Sequence, residues 1–202
     1  ASYPLILAVN AEKGPKTFAE FAEKAEKSPG TMFYSTSGVA GSPHTSSVML
    51  QEFMNTTFTH VPYKGGKPAL MAVAAGDVDF SMGTAPSVLP LGQGDKIRML
   101  AVSTAERSAV APDLPTIAES GVDGFDFSFW FGMFGPAGLP EDVTKKLFEA
   151  TKDVLEDPAV RMKLLTAGSE AGSFESPAAF EAFARKNGAF TLDRVKRANA
   201  LE

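Results

Sequence analysis

The feature that most constrains this chain is an alternation running from Tyr3 to Val102, in which short apolar runs trade places with helical stretches. Tyr3-Pro-Leu-Ile-Leu-Ala-Val9 packs large aliphatics into seven residues, the pattern of a buried strand. Thr17-Phe-Ala-Glu20 then has capping-box spacing, and Phe18, Phe21, Ala22 and Ala25 share one helical face. Ser28-Pro29-Gly30 ends that helix. Further strands are expected at Thr31–Ser35, Phe58–Tyr63, Val78–Met82 and Ile97–Val102. Helices are expected at about Ser42–Met54 and Lys67–Ala75, with a helical turn around Pro86–Leu91. Strand, helix, strand, helix is the signature of an α/β fold whose parallel-type sheet is covered by crossover helices. The Pro- and Gly-rich stretch from Arg107 to Gly124 reads as loop, with one helical turn at Thr116–Ser120.

The character changes near Phe125. An apolar, aromatic strand is expected over Phe127–Phe134, followed by the rigid turn Gly135-Pro-Ala-Gly-Leu-Pro140. Val143, Leu147, Ala150, Val154 and Leu155 line a helix ending at Asp157-Pro158, and a second helix runs to Gly168. Ser176-Pro177 opens a third, with Phe180, Phe183, Ala184 and Phe190 as its inner stripe. The chain thus divides into an α/β part, residues 1–126, and a part made of one strand and helices, residues 127–202. Amphipathic helices cannot bury their faces alone, so those of the second part need a covering surface that this sequence does not supply. Self-association through these helices is one expected answer.

Composition removes several function classes. A formal charge of -5 repels a phosphate backbone, so nucleic acid is not an expected partner. The absence of cysteine removes disulfides, thiolate metal sites and thiol nucleophiles. No stretch is long and apolar enough to span a bilayer as a helix. No signal peptide stands at Ala1, which reads as a mature, trimmed or cytoplasmic chain, and Leu201-Glu202 reads as a cloning remnant. His44 and His60 have no carboxylate or cysteine at metal-ligand spacing, and no Gly-x-Ser-x-Gly motif surrounds a serine. Neither a metal, a cofactor nor an enzymatic activity is expected.

Chemistry concentrates in two loops. In Tyr34-Ser-Thr-Ser-Gly-Val-Ala-Gly-Ser-Pro-His44 a strand ends, small and hydroxylated residues turn, and a helix begins with Ser42 as expected N-cap. Gly38 and Gly41 allow close backbone approach, while Thr36, Ser37 and Ser42 add hydroxyls without charge. The free N–H groups and positive dipole end of such a helix suit an anion, although any α/β loop must also turn and cap. Met82-Gly-Thr-Ala-Pro-Ser87 repeats the arrangement, with Gly83 for approach and Thr84 and Ser87 for hydroxyls. Ligands of open α/β sheets sit outside the carboxyl ends of strands, so both loops can line one crevice. The ligand-binding candidates are Thr36, Ser37, Gly38, Ala40, Gly41, Ser42, His44, Gly83 and Thr84. His60-Val-Pro-Tyr-Lys-Gly-Gly66 forms a third loop, with Tyr63 expected to pack at the loop edge and Lys64 to be solvated.

An ordered series across nearly the whole chain resembles the solute receptors of tripartite tricarboxylate transporters, the Bug or TctC-like proteins. It comprises Tyr34-Ser-Thr-Ser-Gly38 with Gly41-Ser42, His60-Val-Pro-Tyr-Lys-Gly65, Gly76-Asp-Val-Asp79 and Leu100-Ala-Val-Ser103. It continues through Pro112-Asp-Leu-Pro-Thr-Ile-Ala-Glu119, Trp130-Phe-Gly132, Pro136-Ala-Gly138 and Asp157-Pro-Ala-Val-Arg161. The resemblance implies a type II periplasmic-binding-protein-like fold of two α/β lobes joined by two crossing strands, here Tyr3–Val9 and Phe127–Phe134. Residues 1–126 would then hold the second lobe, and residues 127–202 the second crossing strand and the C-terminal helices of an incomplete first lobe. The first ~100 residues of that lobe are not in this sequence, within ordinary domain size. The function implied is periplasmic capture of a small organic carboxylate for a membrane permease, with Thr36 to His44 at the ligand. An effector-binding domain of a transcriptional regulator, which can share this topology, is the alternative.

Overall fold

The computed structural model describes residues 1–200; Leu201 and Glu202, read above as a cloning remnant, lie outside the described residues. In chain order the elements are β1 (Ser2–Asn10), α1 (Phe18–Lys27), β2 (Phe33–Thr36), α2 (Ser42–Met54), β3 (Thr59–Pro62), α3 (Gly66–Ala75), β4 (Phe80–Thr84), α4 (Ala85–Gly92) and β5 (Ile97–Val102). There follow β6 (Ser128–Trp130), α5 (Glu141–Glu156), α6 (Pro158–Thr166) and α7 (Pro177–Ala200).

The strands order as β3-β2-β4-β1-β5, with β6 paired to β1 outside that path. β2 runs parallel to β3 and β4, as crossover helices require. β1 runs antiparallel to both β4 and β5, so the parallel-type sheet expected from the alternation is a mixed one. The reversal has a consequence for the site. It puts the amino end of β1 at the same edge as the carboxyl ends of β4 and β5, with Leu5 opposite Thr84 and Ile6 opposite Val102.

β1 is central and buried on both faces, which explains its nearly unbroken apolar run. Leu5, Leu7 and Val9 join Phe21, Tyr34, Leu50, Phe80 and Phe125 on one side of the sheet. Ile6 and Ala8 join Leu70, Val88, Ile97 and Val102 on the other. At the far end Asn10 closes the strand: its amide donates to the Val73 and Ala74 carbonyls of α3, and its Oδ1 accepts the N–H groups of Glu12 and Lys13.

The near end of β1 leaves the main sheet. Ser2, Tyr3 and Pro4 pair with Trp130, Phe129 and Ser128 of β6. The strand expected over Phe127–Phe134 is therefore three residues long, because only these three residues of β1 offer it a partner. Phe131 and Phe134, 59% and 68% exposed, continue past it into open surface. Ser103 locks the junction. Its hydroxyl accepts the Leu5 N–H and donates to the Phe127 carbonyl, while its own N–H donates to Leu5 and its carbonyl accepts from Phe127. A further crossing contact was not foreseen: Ser2 and Glu170 exchange both backbone hydrogen bonds, at 2.9 and 2.7 Å, and Ser108 donates to the Glu170 carboxylate.

The C-terminal helices are locally well made. Asp157 caps α6 by accepting the Ala159 and Val160 N–H groups, and the Ser176 hydroxyl accepts the Ala179 N–H at the start of α7. Yet α5 and α6 contain no buried residue. Phe174, Phe180 and Phe183 cluster with Trp130. Further along, α7 docks on α2, where Arg194 and Arg197 both pair with Glu52. Between the sheet and α7, α2 is buried from Pro43 through Gln51, polar residues included. The hydroxyls of Thr45, Ser46 and Ser47 turn back onto helix carbonyls, which lets them lie inside without loss.

Candidate functional site

Three helices begin at the edge where β2, β3 and β4 end, and each begins at a residue chosen for space or turn geometry. The residue before α2 is Gly41, in extended conformation, and the one before α3 is Gly65, at φ 121. Thr84 precedes α4, with Pro86 in its first turn. None of the three receives a side-chain cap, so their first N–H groups point to the edge without a built-in acceptor. The expected role of Ser42 as N-cap is corrected here. Ser42 is the first helical residue, and the Gly41 carbonyl accepts the Thr45 N–H.

A cavity of about 100 Å³ lies among these helix starts. Ser37 and Pro43 come from the first loop, Gly66, Ala69 and Leu70 from α3, and Ser81, Gly83, Thr84 and Ser87 from β4 and α4. None of these is charged. The Thr84 hydroxyl donates to Ser87 Oγ at 2.9 Å, and the Ser81 hydroxyl donates away from the cavity to the Ser35 carbonyl. Two glycines at this edge are closely packed. A Cβ on Gly83 would stand 2.4 Å from Val88 Cγ2, and one on Gly66 would stand 3.2 Å from Ser87 Oγ. Backbone N–H groups, helix dipoles and neutral hydroxyls are what a small anion needs when no cation is at hand.

A wider groove of about 800 Å³ opens on the other side of the first loop. Ala40, Gly41, Ser42 and Thr45 form one wall, residues 126–130 the floor, and α7 from Lys186 to Val195 the opposite wall. Tyr3 stacks on Phe129 at 5.1 Å beside this floor, and burial there pushes its phenol pKa above the ordinary value.

The sequence-predicted residues separate into three sets. Ser37, Gly83 and Thr84 line the small cavity, whereas Ala40, Gly41 and Ser42 line the groove. Thr36 and His44 are fully buried beneath the loop. Thr36 Oγ1 lies 2.6 Å from His60 Nε2 and accepts the Gly38 N–H, and Gly38 turns the chain at φ 136. His44 Nδ1 accepts the Ala40 N–H at 3.0 Å. In the sequence Gly66 stands only within a third loop, and no motif marks Ser81. The signal for Gly66 was its place at a third helix start, visible once β3 is known to neighbour β2. Among the described residues no three of His, Cys, Asp and Glu gather as metal ligands, and no helix is long and apolar enough to cross a membrane.

The fold and this edge define a mixed α/β module with a small uncharged cavity at converging helix starts. The chain belongs to the tripartite tricarboxylate transporter family receptors, whose family model matches residues 1–195. It is 29% identical over 180 residues to the UPF0065 protein of the TAR-I ttuE-ttuC' intergenic region of Agrobacterium vitis, covering 88% of this chain and 52% of that protein. Among solved structures it is similar to R. palustris Rpa4515 with adipate, at a TM-score of 0.85 and 30% identity, covering 98% of this chain and 66% of that one. MatC from Rhodopseudomonas palustris with bound malate superposes with a TM-score of 0.78 at 28% identity, covering 96% of this chain and 67% of that one. The chain spans about half the length of the curated relatives it matches.

Proposed function

We propose that this chain is the part of a periplasmic receptor that grips a small organic carboxylate for delivery to a tripartite-type membrane permease, and that it binds its ligand without converting it. The observation that carries the reading is the convergence of three helix starts, none capped by a side chain, on a small neutral cavity. Such a site suits a carboxylate, whose two oxygens meet N–H and hydroxyl donors, better than a cation or a sugar. The adipate and malate in the two similar structures support the same ligand class. On this reading residues 1–126 form one lobe and residues 127–200 belong to another, with β1 and β6 crossing between them. The exposed apolar faces of α5 and α7 are then covered by a further lobe or by a second copy.

Titration calorimetry with malate and adipate, against their diamides, tests this. Binding of at least one acid with Kd below about 1 mM, and of no diamide, is the expected result. Gly66→Val, which fills the cavity beside Ser87, is expected to abolish it. Absence of heat with every carboxylate, or equal binding of the diamide, would overturn the proposal. For self-association, sedimentation is the readout: a monomer at all concentrations, unchanged by Leu147→Glu, rules out the second copy.

A further inference from the structure

Two histidines lie stacked beneath the loop that divides the small cavity from the groove. The rings of His44 on α2 and His60 on β3 are 4.0 Å apart and 17° from parallel, and Tyr34 of β2 stacks on His60 at 4.9 Å. Each histidine holds one end of the loop. His60 meets the Thr36 hydroxyl, and His44 accepts the Ala40 N–H. Ala40 sits at φ 60, a left-handed conformation that a residue with a Cβ keeps only when its surroundings hold it there. From Ala40 the chain runs directly into Gly41 and Ser42 at the start of α2.

The two contacts respond differently to protonation. A hydroxyl oxygen accepts from an imidazole N–H, so the Thr36 contact survives whether His60 is neutral or charged. The Ala40 contact does not. An imidazole nitrogen accepts an N–H only while it carries no proton, and a protonated Nδ1 would face the Ala40 N–H donor to donor. The titratable groups facing His44 are Tyr34 from β2 and His60 from β3. The only charged side chain on α2 is Glu52, two turns further on, where Arg194 and Arg197 of α7 hold it.

We infer that His44 and His60 are positioning residues for the binding loop, and that neutral His44 holds Ala40–Ser42 in the geometry that receives the ligand while protonation of His44 releases it. This rests on the receptor reading above and adds a pH dependence to it. Loop order is complete while His44 is neutral and is lost when the ring takes up a proton.

The first test needs no ligand. Amide exchange of Ala40, read by NMR as a protection factor from pH 8 to pH 5, is expected to fall with pH in the wild type. His44→Asn, which offers a non-titrating oxygen, should keep the protection at every pH, and His44→Ala should lack it throughout. The second test follows the Kd for malate and adipate over the same range. The wild type should weaken about fivefold to tenfold more than His44→Asn, the equivalent of one lost hydrogen bond; comparing the two cancels the titration of the acids. Protection unchanged in His44→Ala, or a His44→Asn profile that falls like the wild type, would overturn the inference. A chain that binds neither acid refutes the receptor reading, while the Ala40 measurement still decides this one.

Discussion

Residues 1–126 and residues 127–200 obey the same local rules and end in opposite states. α1 and α6 both start at capped positions, with Thr17 accepting the Glu20 N–H and Asp157 accepting the Ala159 N–H. α1 then buries Phe18, Phe21 and Ala25 against the sheet, whereas α6 buries nothing and leaves Met162 exposed. Caps and periodicity decide that a helix forms and which side is apolar. They do not decide what covers that side. In the first region the mixed sheet does so; in the second, β6, Phe174 and α2 cover parts of α7, while α5 and α6 stay without a buried residue.

The largest expected effect breaks this comparison directly. Leu7 is fully buried in the middle of β1, and Leu7→Ala is expected to cost about 2–5 kcal/mol in urea denaturation through lost burial and the cavity left behind. Leu147 on α5 is 46% exposed, and Leu147→Ala should cost less than about 1 kcal/mol. Equal costs would mean that the α5 face is covered in solution, and a loss at Leu147 that grows with protein concentration would identify a second copy as the cover.

The next effect lies where the two regions meet. Ser103→Ala would leave the Leu5 N–H and the Phe127 carbonyl without their shared hydroxyl, inside a buried junction. An unmatched buried polar group costs about 1–3 kcal/mol, so a drop of that size is expected. Cysteine in its place, similar in size but a poor hydrogen-bonding group, should recover little. A loss below about 0.5 kcal/mol would show that water replaces the hydroxyl and that the junction is open.

What was legible in the sequence followed the same divide. Gly41, Pro43 and the Asn55 stop delimit α2, and its bounds coincide with the expected ones because each end carries a local signal. β6 was overestimated because Phe131, Met133 and Phe134 look like core residues in a sequence window, while strand length depends on a partner's length. The direction of β1 was illegible, since an apolar run does not encode orientation. The loops of the site were visible as glycines, hydroxyls and a proline. The positions of Thr36 and His44 were not: their partners His60 and Ala40 meet them only after β2, β3 and α2 have packed.

The smallest expected effect concerns a turn in the long loop of the first region. Thr116 and Glu119 form a reciprocal cap: the Thr116 N–H donates to the Glu119 carboxylate at 2.8 Å, and the Glu119 N–H donates to Thr116 Oγ1 at 2.9 Å. Arg107 adds a contact at 3.0 Å. The Thr116 N–H does most to hold the Glu119 carboxyl below its ordinary 4.5; burial opposes it, and the Arg107 hydrogen bond and charge then add to the lowering. A lowered folded-state pKa means that this contribution is complete above the unfolded value and is lost as pH falls through the folded one. Glu119→Gln keeps an acceptor for Thr116 but removes the charge, so its stability deficit should be constant near neutrality and close below about pH 4.5. Denaturation midpoints of the two proteins across pH 3 to 7 would show it. A deficit that persists in acid would assign the cap to hydrogen-bond geometry alone, with no electrostatic share in holding this turn together.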